Sequence, residues 1–76
     1  MKETLNVIIS NLVDDKNAVE IIEVNGDKSI VFEVKVAEGD MGKIIGKQGR
    51  LAKSIRTVIK ALAAREHKKV SVEFVG

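Results

Sequence analysis

The stretch Asp40-Met41-Gly42-Lys43-Ile44-Ile45-Gly46-Lys47-Gln48-Gly49-Arg50 decides how this chain is read. Met41, Ile44 and Ile45 lie at helical spacing, and Asp40 is placed to cap the short helix they imply. Gly46 is placed to end it, and Gly46-Lys47-Gln48-Gly49 reads as a tight connection. A longer helix follows over about residues 50–66. Leu51, Ala52, Ile55, Val58, Ile59, Leu62 and Ala63 fall on one arc of it, and Arg50, Lys53, Arg56 and Lys60 fall on another. Two helices meeting at glycines beside a basic stripe is the feature that the rest of the chain has to explain.

Outward from that stretch the pattern changes period. Upstream, residues 29–36 alternate, with Ile30, Phe32, Val34 and Val36 on one side and Val31, Glu33 and Lys35 on the other. Asn25-Gly26-Asp27-Lys28 before them is a hairpin signal. Residues 18–24 read as a strand with apolar residues on both faces, so its inward face stays open. Residues 4–13 read as a helix whose arc holds Leu5, Ile8, Ile9, Leu12 and Val13. A solvated turn, Asp14-Asp15-Lys16-Asn17, follows it. Downstream, His67-Lys68 turns the chain, with His67 placed to meet the last helix carbonyls, and Lys69 to Val75 alternates through Val70, Val72 and Phe74. The order is α-β-β-α-α-β, an α+β fold with helices on one face of a small sheet.

Composition narrows the function. The 76 residues contain no cysteine and one histidine, which leaves no disulfide, thiolate or histidine-pair chemistry to expect. No Ser/His/acid set can be assembled, so the chain reads as a non-enzyme with no cofactor, no metal and no small-molecule substrate. No apolar run approaches the roughly 20 residues of a membrane span, and Met1-Lys2-Glu3 lacks the layout of a secretion signal. A cytoplasmic protein, one domain over residues 1–76, is the expectation. The net charge of +2 is unevenly spread: residues 1–40 carry −5 and residues 41–69 carry +8. A basic half beside glycines suits a polyanion.

Three readings of the glycines compete. A nucleotide-binding P-loop needs four residues between its glycines and a hydroxyl after Gly-Lys. Gly42 and Gly46 are separated by three, and Gln48 stands where the hydroxyl should be. An ordinary helix–turn–helix would use Gly46 and Gly49 only for backbone geometry. A nucleic-acid clamp would use them to admit a phosphate backbone close to the main chain, at the start of a helix that favours anions. Lys47 and Gln48 would be the loop side chains that touch the backbone, Lys43, Arg50, Lys53 and Arg56 would supply the field, and Ile44 and Ile45 would form part of an apolar wall for bases.

Gly42-Lys43-Ile44-Ile45-Gly46-Lys47-Gln48-Gly49-Arg50 resembles the signature of the K-homology (KH) domain, with its Ile-Gly-x-x-Gly core. The order of elements is similar to the type II form, and the whole chain resembles the small bacterial single-KH proteins of the KhpA family. The resemblance implies a mixed three-stranded sheet and a groove that takes about four nucleotides of single-stranded RNA. It also implies a role as an RNA chaperone or post-transcriptional regulator touching growth, division and cell shape, and a KhpB (Jag)-like KH partner. The two phenylalanines read as core, and there is no Tyr or Trp, so an aromatic stacking platform is not to be expected. Because one four-nucleotide site is short, a second site on another chain is expected, as a homodimer or a heterodimer with another KH protein. The alternative is a protein–protein module whose basic face meets an acidic partner.

Overall fold

Leu5 and Ile9 stand one turn apart on α1 (Lys2–Leu12), and both are fully buried. With Val13 they form one side of the core. The structure, a computed structural model, describes residues 1–75; Gly76 and the Lys47 side chain lie outside the described residues. After α1, a 3-10 turn (Lys16–Ala18) leads into β1 (Glu20–Asn25), which pairs antiparallel with β2 (Ser29–Lys35). The hairpin closes through the Gly26 N–H, which donates to the Ser29 carbonyl at 2.7 Å. Asp27 and Lys28 are the central residues of the turn, and neither adopts a left-handed φ.

The chain then enters α2 (Glu38–Arg65), a 28-residue helical run, and returns as β3 (Lys69–Val75) parallel to β2. Parallel neighbours need such a crossover. The sheet order is β1-β2-β3. Gln48 and Gly49 have left-handed φ values of 62° and 73°, which divide α2 into two arms. Three helical segments and a mixed sheet thus follow the expected α-β-β-α-α-β order.

One sheet face is covered. Ile30, Phe32 and Val34 of β2 and Val70 and Val72 of β3 pack against Ile44, Ala52, Ile55, Ile59 and Ala63 of α2. Phe74, expected in the core, is half-buried at its rim. β1 turns Ile21 inward and leaves Ile22 and Val24 on the open face, both more than half exposed. Val58, expected on the apolar arc, is exposed. At 100° per residue it lies at the edge of the arc centred on Ile55 and Ile59, outside the reach of the sheet.

Two end signals differ from expectation. Ala37, not Asp40, occupies the N-cap of α2; Asp40 is the third helical residue, and its side chain caps nothing in its own helix. At the other end, Lys68 N–H donates to Ala63 and His67 N–H to Ala64. This is a Schellman closure with His67 in the left-handed position, φ 57°. The Ala63 and Ala64 carbonyls are thus met by backbone N–H groups, those of Lys68 and His67, in place of the His67 ring.

Candidate nucleic-acid interface

The first arm of α2 reaches its break later than the sequence suggested. Gly46 stays helical, and the reversal falls on Gln48 and Gly49. Two consecutive left-handed residues cannot continue a right-handed helix, so the second arm starts in a new direction at Arg50. Gly49 takes this conformation freely, while Gln48 takes it against its Cβ. Gln48 and Arg50 are exposed on either side of Gly49.

Gly42 and Gly46, one turn apart on the first arm, line two surface concavities. One, of about 410 Å³, is bordered by Gly42, Lys43, Gly46, Arg50 and Leu51. The other, of similar volume, is bordered by Glu38, Met41, Gly42, Ile45 and Gly46. A Cβ built on Gly42 or Gly46 meets no atom within 4 Å. Packing therefore does not require glycine at either position, although glycine costs a helix about 1 kcal/mol relative to alanine. Sequence reasoning missed Glu38, Met41, Gly42 and Leu51 as lining residues. The four-residue spacing of Gly42 and Gly46 was the available signal.

The predicted basic and apolar residues separate into two groups. Arg50 and Lys53 point to solvent, as does Lys60 farther along the arm, and Ile45 is 52% exposed. Ile44, expected to share the apolar wall, is fully buried in the core and offers no surface to a base. Lys43 is engaged within the protein: it pairs with Asp14, and its Nζ lies 3.6 Å from Asp40 Oδ1. Arg56 is engaged as well. Its Nε–H donates to the Val72 carbonyl at 3.0 Å, and its guanidinium sits 5.5 Å from the centroid of the Phe74 ring. The Lys47 side chain lies outside the described residues.

Asp40 organises the root of the first arm. It is buried, and its two carboxylate oxygens accept the backbone N–H groups of Asp14 at 3.0 Å and Asp15 at 3.1 Å. The Asp14–Asp15 turn, expected to be merely solvated, is thereby tied to α2. The N–H bonds from Asp14 and Asp15, reinforced by Lys43, hold the Asp40 carboxyl below its ordinary value against the opposing effect of burial. The bond to Asp14 holds the Lys43 ammonium above its ordinary value, with Asp40 adding to it. Among the described residues, no group of three or more His, Asp or Glu is arranged to hold a metal ion. No described helix is long and apolar enough to cross a membrane.

Comparison with known proteins places this geometry. The family described as KhpA/KhpB, KH domain, matches residues 2–74. The chain is 56% identical over 75 residues to the RNA-binding protein KhpA of Clostridium acetobutylicum, covering 99% of this chain and 100% of that one. It is 52% identical over 75 residues to the RNA-binding protein KhpA of Caldanaerobacter subterraneus, with the same coverage. The RNA-binding protein KhpA of Aquifex aeolicus is 36% identical over 99% of this chain and 95% of its own. No solved structure gives a significant match. With the Gly-x-x-Gly break, the mixed sheet and the order of elements all in place, the chain belongs to the KhpA/KhpB KH-domain family.

Proposed function

We propose that residues 1–76 form one KH domain that binds single-stranded RNA without catalysis, in the cytoplasm. The observation that carries this is the pair Gly42 and Gly46, helical glycines with open space around them, beside the exposed Gln48, Arg50 and Lys53. Glycine there has no role in packing and leaves the backbone bare to an incoming chain. The relatives, named as RNA-binding proteins, favour RNA as that chain. Gly46 and Gly49 admit the phosphate backbone, Lys47 and Gln48 contact it, and Arg50 and Lys53 supply the field. Ile45, more than half exposed, is the apolar wall for bases. Lys43 and Arg56 serve the site indirectly, one by fixing the first arm and the other by fixing the second arm to β3.

A site of about four nucleotides is weak alone. The functional unit is accordingly a pair of KH sites on two chains, either two copies of this one or this chain with a KhpB-type protein, acting as an RNA chaperone or post-transcriptional regulator. The direct test replaces Lys47 and Gln48 together by Asp and measures binding of fluorescent single-stranded RNA. Binding is lost while the circular dichroism spectrum is kept, and in the parent chain log affinity falls with log salt by roughly 0.7 per neutralised phosphate. Unchanged affinity in the double variant would remove the clamp. Salt-independent binding would point to an apolar partner site instead.

A further inference from the structure

The two edges of the sheet are not alike. Gly26 and Ser29 form a hydrogen-bonded pair, so alternation along the antiparallel ladder makes Val24–Val31, Ile22–Glu33 and Glu20–Lys35 hydrogen-bonded pairs too. The N–H and C=O groups of Ile21, Glu23 and Asn25 therefore point away from β2, toward the free edge of β1. By the same alternation Ile30, Phe32 and Val34 direct their groups to β3, and Val70, Val72 and Phe74 direct theirs outward. On that outer edge Arg56 takes the Val72 carbonyl and covers the Phe74 ring. Among the described residues, no hydrogen bond takes the outward backbone groups of Ile21, Glu23 or Asn25. On the β3 edge a side chain takes one outward carbonyl; along the six residues of β1 no outward group is taken among the described residues.

The chemistry of the open edge selects what can pair with it. Residues 17–27 hold Glu20, Glu23 and Asp27 and no Lys, Arg or His. A second copy pairing β1 with β1 would bring two such strands together without a cation in either, and charged edges of this kind discourage self-pairing. An RNA strand is repelled for the same reason. The side chains complete the pattern: Ile22 and Val24 stand exposed on the open face, at 54% and 55%, and Glu23 stands exposed on the other. A strand laid beside β1 would place its own residues alternately next to these. We propose that the β1 edge takes an extended segment of a partner protein as a fourth strand, with apolar residues alternating with Lys or Arg. This goes beyond RNA binding and does not depend on it.

The test uses the full chain, labelled with nitrogen-15, and two synthetic peptides long enough to span β1. One alternates valine with lysine and the other valine with glutamate. The lysine peptide is expected to shift the amide signals of Ile21, Glu23 and Asn25 and to slow their hydrogen exchange, with affinity about tenfold above that of the glutamate peptide. In Glu23→Lys, which reverses the charge on the face that the peptide lysines share, the preference reverses. This position is exposed, so the variant keeps the fold, which the amide spectrum verifies. Equal binding of the two peptides, lysine-peptide shifts centred away from β1, or no binding at millimolar peptide would overturn the proposal. So would a free chain with doubled mass and those three amides already protected, since a second copy would then hold the edge.

Discussion

The two arms of α2 are one helical run with two kinds of support. The second arm buries Ala52, Ile55, Ile59 and Ala63 against the sheet and contains no glycine. The first arm buries Ile44 and Asp40, carries Gly39, Gly42 and Gly46, and is tied at its root by carboxylate bonds to the Asp14–Asp15 turn. Hydrophobic area holds one arm and a polar latch positions the other. The proposed RNA contacts cluster where apolar support is thinnest, because a surface that a chain must approach cannot also be filled with side chains.

The comparison is tested most severely in the second arm. Ile59→Ala removes a fully buried side chain facing the sheet and should cost about 2–5 kcal/mol of global stability, read by urea unfolding. For so small a domain that is a large share of the total. A loss below about 1 kcal/mol would mean the second arm is not the packed half.

Next in size is the break between the arms. Gly49→Ala forces a Cβ into φ 73°, at about 1–2 kcal/mol for a left-handed residue. Gly46→Ala has the opposite sign: the helix admits the methyl without a contact inside 4 Å, so stability should rise by up to about 1 kcal/mol. RNA affinity should nevertheless fall, because the methyl would stand where the proposed site admits the phosphate backbone. Thermal melting and RNA binding measured on the same two proteins give the check. A Gly46→Ala chain that is stabler and still binds at parent affinity would show that this glycine serves no ligand.

Much of this was legible in the sequence because it was local. The periods of α1, β2 and the second arm, the hairpin before β2 and the presence of a break near Gly49, though not its start, each follow from neighbours within a turn or a strand. What escaped depends on contacts across the fold. Asp40 looks like a cap because Asp before an apolar run usually is one; its partners, Asp14 and Asp15, are more than twenty residues away. Arg56 belongs to the basic arc by spacing, but the Val72 carbonyl that claims it becomes available only when β3 forms a sheet edge. Lys43 likewise lies in a basic run while Asp14 takes its charge. The inward face of β1 was undecidable because Ile21, Ile22 and Val24 are all apolar, and only the placement of α1 and β2 chooses between them.

The smallest effects concern the latch, and they are told apart by pH. The Asp40 carboxyl lies below its ordinary value of 3.8 in the fold. Its contribution is therefore complete above that value and is lost as pH falls through the lowered one. Asp40→Asn keeps one acceptor oxygen but turns an NH₂ group toward a backbone N–H. It should loosen the first arm at neutral pH, seen as faster amide exchange at residues 41–46 with little change near Ile59. As pH falls from 3.8 through the lowered value, the parent carboxyl protonates and the gap between parent and variant should close. Lys43 works at the other end of the scale. Its ammonium lies above the ordinary 10.5 in the fold, so its contribution is complete below that value and fades as pH rises through the raised one. Lys43→Gln, half exposed and paired with an exposed Asp14, should have a weaker effect than Asp40→Asn. That gap should close on the alkaline side instead. If both variants converge with the parent at the same end of the pH scale, the two groups do not act as one latch, and the first arm is held by Ile44 packing alone.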